Sequence, residues 1–333
     1  MSCRRGSGSE EGTYVTIETK SVGGAAPPLL PGARPRPPRK VWDRRRGAPW
    51  IPYAFMAPGL ILFSIFFAWP AYTAIQTSFF RYNIVEPTRF VGLDNYRAMF
   101  VDPLFWKAIL NSLIMIAGLL PLTVFIPLLL ALLVNKPLRM IRFYRLAYYF
   151  PAVTSTVAVA IAWNVLFQER GVINWLLTTA HMITAPVNFL FDTKTALPSI
   201  ILVEGWQTMG YFMMIYLAGL QSLPSEVTDA ALVDGANGLK RLWYITLPLM
   251  KPYIGVCALL SGINAVQSFT TIFVMTRGGP DNATLTLGYY IYDKAFQQFD
   301  FGYGSAMGVA LFFILIGFAL INNRLTRSSE VTL

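Results

Sequence analysis

The sequence predicts an all-α polytopic membrane protein with six transmembrane helices and both termini in the cytoplasm. Of its 333 residues, 55% are hydrophobic and only 13% are charged, which is about half the charged fraction typical of soluble domains. Six apolar segments are long enough to cross a hydrocarbon core, since crossing roughly 30 Å takes about 20 helical residues. We place these spans near 53–79, 108–134, 146–168, 197–220, 252–276 and 303–323.

The distribution of basic residues determines the predicted orientation. The segments 1–48, 135–145 and 221–251, together with the C-terminal tail, hold 19 of the 27 Lys and Arg residues. Because Lys and Arg near the ends of spans stay in the cytoplasm, these four segments are expected there. The net charge of +10 therefore indicates membrane topology, and no nucleic acid is expected as a partner.

Two regions of different composition follow one another along the chain. Residues 1–48 are rich in Gly, Pro, Ser and Arg and are predicted to form a disordered basic cytoplasmic tail. Residues 49–333 are predicted to form the transmembrane domain. A disulfide between Cys3 and Cys257 is not expected, because one lies in a cytoplasmic tail and the other in a span.

A polar hairpin, residues 224–248, separates the fourth and fifth spans. Ala230 and Ala231 fall on the apolar face of a short first helix. Gly235 is expected to adopt a left-handed conformation that ends this helix, and Pro248 is expected to end a second helix before span 5 begins. The pattern alone fits an ordinary interfacial loop as well as a docking element.

The second short helix carries an apolar face of its own. Leu239, Leu242, Trp243 and Thr246 are spaced by three or four residues, so their side chains share one side of a helix. Two short amphipathic helices in succession would give the hairpin a hydrophobic bearing surface.

The hairpin resembles the EAA loop of permease subunits in binding-protein-dependent ATP-binding cassette (ABC) importers. That loop carries Glu-Ala-Ala, then a glycine, nine residues and Ile-x-Leu-Pro, and here nine residues separate Gly235 from Ile245-Thr246-Leu247-Pro248. An aspartate replaces the commoner glutamate. In the family this loop fits a cleft on the ATPase subunit. The resemblance implies that role for Asp229, Ala230, Ala231, Asp234, Gly235, Leu247 and Pro248.

The resemblance covers nearly all the chain after residue 50. Residues 90–96, 218–224 and 276–284 look like stretches typical of the carbohydrate-uptake branch, which includes maltose-type and glycerol-phosphate-type permeases. It implies the type I ABC importer permease architecture in the cell membrane of a prokaryote, and transport of a sugar or sugar-like solute by alternating access. The implied partners are a second homologous permease subunit, two copies of an ATPase subunit and an extracytoplasmic binding protein.

No catalytic constellation is visible in the sequence. The chain lacks a P-loop motif, so ATP and magnesium are expected on the partner ATPase subunits, and no cofactor or enzymatic activity is expected here. With His181 as its single histidine, the chain has no multi-histidine metal site. An ion-coupled secondary transporter remains an alternative, since such carriers use intramembrane acids and broken helices.

Glu204 is the first candidate for the substrate pathway. It is the only charged residue well inside any predicted span, and an ionisable group there is costly enough to indicate function. Trp206, Gln207 and Tyr211 lie close by in the sequence, and a carboxylate, an amide and aromatic faces together suit a polyol. The alternative is a helix–helix hydrogen bond from Glu204 to a polar group of a neighbouring subunit.

Span 5 carries three further polar candidates. Asn264, Gln267 and Ser268 stand at i, i+3 and i+4, which predicts one shared helical face. Lipid cannot satisfy such a face, so it lines a cavity or bonds another helix, and both readings stay open.

An external turn follows span 5. Gly278, Gly279 and Pro280 form a dense turn signal. The family resemblance implies contact with the extracytoplasmic binding protein at these three residues.

Overall fold

The computed structural model describes residues 51–83, 87–136, 139–236 and 238–327, so the predicted tail 1–48 lies outside the described residues. Within them, five helices are long and apolar enough to cross a membrane, and a pair bent by 96° makes a sixth if it is counted as one span. The predicted all-α class is confirmed. The five helices are Tyr53–Thr77, Pro103–Val134, Ala196–Gln221, Leu239–Met275 and Phe301–Thr326, and the bent pair is Ile141–Val153 with Thr156–Leu166.

Shorter elements make up these spans and the segments between them. The α-helices are α1 (Ile51–Phe63), α2 (Trp69–Thr77), α3 (Asp94–Val101), α4 (Pro103–Leu120), α5 (Ile126–Val134), α6 (Ile141–Val153), α7 (Thr156–Leu166), α8 (Val172–Thr179), α9 (Ala196–Gln221), α10 (Ser225–Val233), α11 (Leu239–Arg241), α12 (Leu247–Val266), α13 (Thr270–Met275), α14 (Leu287–Tyr292) and α15 (Phe301–Arg327). Strands β1 (Phe80–Arg81) and β2 (Arg89–Phe90) pair antiparallel.

Short π-helical turns join several of these helices without a break. Three of them, Ser64–Ala68, Pro121–Phe125 and Leu242–Thr246, are each followed by a proline at the second position of the next α-helix. Proline has no N–H for the i−4 carbonyl and its ring crowds that carbonyl. A wider turn before the proline relieves this crowding, so the helix continues through it.

The prediction that Pro248 ends the second hairpin helix is therefore wrong. Pro248 is the second residue of α12, and α11, the π turn and α12 follow one another directly. The N–H that Pro248 lacks would belong to the widened turn, where the hydrogen bonds already differ from those of an α-helix. The helix consequently runs from Leu239 in the hairpin to Val266 inside the membrane.

Helix α9 is the central helix of the described fold. Its N-terminal half contributes Leu197, Ile200 and Val203 to one buried hydrophobic cluster. Its C-terminal half packs with α5 and α12 in a second cluster. The residues that α9 contributes to this second cluster are Phe212, Met213, Tyr216, Leu217 and Leu220. Apolar positions recur on several sides of this helix, as expected for a helix surrounded by others.

Two spans that the sequence predicts as single helices are interrupted. Span 3 turns by 96° between α6 and α7, where Thr154 is extended and Pro151 lies in the last turn of α6. Span 5 is interrupted after α12, and α13 begins at Thr270. Average hydropathy did not reveal these breaks, because the apolar residues on either side outweigh the short polar stretches Thr154-Ser155-Thr156 and Gln267-Ser268.

A carboxylate joins three elements at the outer edge of the bundle. Asp102 caps α4 by accepting a hydrogen bond from the Leu104 N–H at 2.9 Å. Its other oxygen accepts from the hydroxyls of Tyr290 at 2.5 Å and Tyr303 at 2.7 Å. Burial raises the pKa of the Asp102 carboxyl, but these hydrogen bonds outweigh burial and hold the pKa below its usual range.

Gly210 should be essential to the crossing of α6 over α9. A Cβ at this position would lie 1.9 Å from the Tyr148 carbonyl oxygen. Because the backbone of α6 meets the backbone of α9 here, neither can move aside at low energetic cost. We expect Gly210→Ala to lower the stability of the detergent-purified protein by about 1–3 kcal/mol, the usual cost of overpacking. Thermal unfolding measures the loss. Gly317→Ala, where nothing lies within 4 Å, is the control, and an equal effect of both changes would refute the close crossing.

The lowered pKa of Asp102 predicts a pH-dependent contribution to stability. A depressed carboxyl pKa stabilises the fold above the usual value of 3.8, and this stabilisation disappears as the pH falls through the folded-state pKa. Asp102→Asn keeps the helix cap and removes the charge. The gap in melting temperature between wild type and variant should narrow below pH 3.8, whereas a gap that stays constant with pH would contradict this. Asp192→Asn, an exposed carboxylate, is the control.

Candidate functional site

A cavity of about 310 Å³ lies among α4, α6, α7, α9, α12 and α13. Glu204, Gln207 and Tyr211 line it from α9, together with Thr208. These residues stand at i, i+3, i+4 and i+7, so one face of α9 forms a wall of the cavity. The remaining lining residues are Leu119, Thr123, Tyr149, Ala152, Thr156, Phe212, Ser261, Asn264, Gln267, Ser268, Phe269, Thr270 and Thr271.

Trp206 does not line this cavity. It follows Glu204 by two residues, which turns its side chain about 200° around the helix. There it packs edge-on against Trp163, with ring centroids 5.4 Å apart. The structure therefore separates Trp206 from the other three predicted residues of α9, because side chains on one face of a helix are three or four residues apart.

Glu204 bonds to a residue of its own chain. The Ser268 hydroxyl donates a short hydrogen bond to Glu204 Oε1. The bond therefore joins α9 to the interruption between α12 and α13. The structure thus gives Glu204 a hydrogen-bond partner within its own chain, while also placing it on the cavity wall.

Gln207 holds the other interrupted span. Its side-chain Nε2 donates to the Thr154 carbonyl at 3.1 Å and lies 3.3 Å from the Thr156 hydroxyl. Both acceptors lie at the 96° bend between α6 and α7. Glu204 and Gln207, one helical turn apart on α9, thus secure two helix breaks on the same side of the central helix.

Asn264, Gln267 and Ser268 all line the cavity, but they do not share a helical face. Asn264 lies in α12, Gln267 follows the last residue of α12, and Ser268 lies beyond it. Asn264 and Gln267 are exposed, and within the described part of the chain neither side-chain amide has a hydrogen-bond partner. Both amides are therefore available to a solute.

Several cavity residues were missed by the sequence analysis. Ser261 stands one turn before Asn264, and its hydroxyl lies 2.6 Å from that of Thr123 in the second span. The spacing of three residues between Asn264 and Gln267, continued towards the N-terminus, leads to Ser261. Tyr149, Thr208 and Thr271 carried no comparable signal, because hydroxyl side chains are common in membrane helices that have no solute pathway.

The hairpin adopts the predicted turn at Gly235. This residue has φ +74°, and α10 ends just before it at Val233. The Ala236 N–H bonds the Ala231 carbonyl at 2.9 Å, which is the six-to-one bond of a Schellman motif. The prediction that Gly235 ends the first helix is confirmed.

The hairpin also exposes a set of large apolar side chains. Their exposed fractions are 88% for Val233, 73% for Leu239, 66% for Trp243 and 81% for Tyr244. We call these four residues the hairpin patch. Among the residues that the family motif marks, Ala230, Asp234 and Gly235 are exposed, Leu247 and Pro248 are half-buried, Ala231 is buried, and Asp229 lies within α10.

The external turn folds back onto α4. Lys107 Nζ donates to the Asp281 carbonyl at 2.5 Å, and Asn111 Nδ2 donates to the Asn282 carbonyl at 3.0 Å. Gly278, at φ +83°, is buried, and the contact of this turn with a binding protein stays a prediction. Gly279 and Pro280 are half-buried, and the exposed residues of this turn are Arg277 and Asp281.

The family model for the binding-protein-dependent transport system inner membrane component matches residues 48–330. The chain belongs to this family. It is accordingly a membrane permease component of a binding-protein-dependent transport system, and the ion-coupled secondary transporter is not favoured. The match covers the interrupted spans, the cavity and the hairpin.

Curated relatives of this inner membrane component span most of its length. A sulfoquinovosyl glycerol transport system permease protein of Agrobacterium fabrum is 34% identical over 279 residues, covering 83% of this chain and 90% of the relative. An arabinooligosaccharides transport system permease protein of Bacillus subtilis is 33% identical over 281 residues, covering 83% and 88%. A diacetylchitobiose uptake system permease protein of Streptomyces coelicolor is 30% identical over 332 residues, covering 95% and 93%.

A solved structure shares the fold of this permease component. The crystal structure of a bacterial ABC transporter involved in the import of the acidic polysaccharide alginate superposes with a TM-score of 0.73 and 25% identity. The match covers 85% of this chain and 96% of the chain in that structure. The predicted type I ABC importer permease architecture is therefore confirmed.

Removing the Gln207 amide should destabilise the bend between α6 and α7. Gln207→Met keeps the length of the side chain but leaves the Thr154 carbonyl without its donor, which typically costs about 1–3 kcal/mol for a buried group. We expect a lower melting temperature of the purified protein. Gln221→Met, at the exposed end of the same helix, is the control. Equal melting temperatures for wild type and Gln207→Met would show that Gln207 does not hold the bend.

Proposed function

We propose that this chain is the permease subunit of an ATP-driven importer that moves a sugar or sugar-like solute delivered by an extracytoplasmic binding protein. The printed functions of the three relatives support the solute class, since they are named for a sulfoquinovosyl glycerol, arabinooligosaccharides and diacetylchitobiose. The chemistry of the cavity agrees with it, because hydroxyls, amides and a tyrosine face suit a polyol.

The observation that carries the proposal is the uninterrupted helix between hairpin and cavity. The helix begins at Leu239, a residue of the hairpin patch, and continues to Val266. Asn264, in its last turn, presents its amide to the cavity. A protein that displaces the hairpin in the cytoplasm would therefore displace residues of the solute pathway as well.

Three kinds of partner complete the proposed importer. Two copies of an ATPase subunit bind ATP and magnesium and engage the hairpins, a second homologous permease subunit shares the pathway, and the binding protein docks outside. Hydrophobic burial would drive the ATPase contact, since the hairpin patch exposes four large apolar side chains. Closure of the ATPases would then switch the pathway between inward-facing and outward-facing states.

Within the pathway we assign solute contact to side chains that reach the cavity. Asn264 and Gln267 offer unpaired amides, which can both donate to and accept from sugar hydroxyls. Tyr211 offers a ring face on which a sugar can pack. Glu204 and Ser268 line the same space and bond each other. Chemistry on the solute is not part of this role, and ATP hydrolysis belongs to the separate ATPase chain.

The coupling role predicts the effect of reversing one charge on the hairpin. Asp229→Lys should abolish transport and reduce the ATP hydrolysis that accompanies transport at least tenfold. A lysine that is buried at a docking surface, either next to another cation or without a partner, costs several kcal/mol. Co-purification of the ATPase chain and ATPase activity in proteoliposomes are measured. Asp192→Lys, an exposed external residue, is the control. Solute uptake by this chain without any ATPase would contradict the proposal.

A further inference from the structure

Four basic side chains lie close together in the sequence where the second span ends and α6 begins. We call Lys136, Arg139, Arg142 and Arg145 the basic cluster. The first three are exposed, and Arg145 is half-buried. The first residue of α6 packs in the same hydrophobic cluster as the first residue of α12. The basic cluster therefore lies at the end of the bundle that carries the hairpin.

The charge of this cluster is not balanced by the described part of the chain. The sequence has no Asp or Glu between residues 103 and 168, and within the described residues none of the four side chains makes an ion pair. Arg145 Nη2 donates to the Val134 carbonyl at 3.2 Å, whereas its buried Nε has no hydrogen-bond partner. The cluster thus presents four cations and spare N–H donors.

An exposed apolar stripe continues from the cluster along α6. Phe143, Leu146 and Phe150 stand at i, i+3 and i+7, so their side chains share one side of the helix. Each of the three is more than half exposed. Because α6 is the first part of the bent third span, the stripe faces hydrocarbon and the basic residues before it lie near the headgroups.

We propose that the basic cluster and the stripe together bind an anionic phospholipid. The headgroup phosphate lies on the arginines, and one acyl chain lies along the stripe. Guanidinium groups suit a phosphate, since they offer parallel N–H donors to its oxygens. The site selects lipids with a net negative charge, because a zwitterionic headgroup would bring its own cation next to four others.

A protein partner fits these two features less well. An ATPase subunit remains in water, so it could cover the basic cluster but not a stripe within a membrane span. A second permease subunit could cover the stripe, but four unbalanced cations in a contact between proteins need acidic partners or cost free energy. A phospholipid supplies the anion and the hydrocarbon in a single molecule.

Helix α6 connects this surface to the cavity. Arg142 and Arg145 lie among its first five residues, and Tyr149 and Ala152, near its other end, line the cavity. The bond from Arg145 to Val134 also fastens the start of α6 to the end of α5. A phospholipid held at the start of α6 therefore restrains a helix that forms part of the cavity wall.

Two lipids with the same acyl chains isolate the effect of headgroup charge. Native mass spectrometry of the detergent-purified complete complex reports the affinity of the first lipid to bind, for dioleoyl-phosphatidylglycerol and for dioleoyl-phosphatidylcholine. The first carries a net negative charge, and the second is zwitterionic. The test variant is Arg139→Gln/Arg142→Gln. The matched control, Arg81→Gln/Arg89→Gln, removes two exposed arginines that face each other across β1 and β2.

We expect wild type to bind phosphatidylglycerol at least about tenfold more tightly than phosphatidylcholine, since each basic residue near an anionic headgroup contributes about fivefold. The test variant should lose at least about fivefold in affinity for phosphatidylglycerol and stay within about twofold for phosphatidylcholine. The control should behave as wild type. Equal affinities for both lipids in wild type would overturn the proposal, as would an unchanged preference in the folded test variant.

A second variant covers the case in which the test variant does not fold. Lys136→Gln/Arg142→Gln removes another two exposed charges of the cluster, and the same loss is expected. An unchanged preference in this variant would again overturn the proposal.

Two further outcomes distinguish the lipid from other occupants. Glycerophosphoglycerol, which has the headgroup of phosphatidylglycerol without acyl chains, should not displace the lipid at equal concentration. Equal displacement would show a site for soluble phosphate diesters and would overturn the lipid assignment. Release of the ATPase chain or of the second permease subunit by the test variant, with the lipid preference intact, would identify a protein interface instead.

Discussion

Every interrupted helix inside a membrane must find partners for its freed backbone groups within the protein, because lipid offers none. Helix α9 meets this requirement at the bend of span 3, and at the interruption of span 5 it binds a side chain. Gln207 donates to the Thr154 carbonyl at the bend of span 3, and Glu204 accepts from Ser268 where span 5 is interrupted. The positions of α6, α7, α12 and α13 depend on these two side chains.

The cavity beside α9 is a consequence of the same two interruptions. Where a span turns away from α9, the neighbouring helices cannot close the space, and polar groups of the breaks remain at its wall. Thr286 at the outer side reinforces the second break by donating to the Ser268 carbonyl at 3.3 Å. The polar side chains that stabilise the breaks therefore also line the cavity, so both tasks fall to the same residues.

The sequence predicted the features that depend on composition or on local backbone conformation. Gly235 was assigned its left-handed turn because few other residues adopt positive φ, and Glu204 was found because a carboxylate in an apolar span is rare. The bend of span 3 and the continuity through Pro248 were not predicted, because both depend on how helices pack and on whether a widened turn precedes a proline. The separation of Trp206 from the cavity is geometric, since Trp206 lies on the opposite side of α9.

The π turn before Pro248 has a consequence for the register of the chain. The helix from Leu239 to Val266 is continuous. The direction in which Asn264 points around the helix axis is therefore fixed relative to the direction of the hairpin patch. Inserting one residue between them would rotate one end against the other by about 100° and shift it by about 1.5 Å. The number of residues in this segment is thus constrained as tightly as their identity, whereas the turns outside the membrane tolerate changes in length.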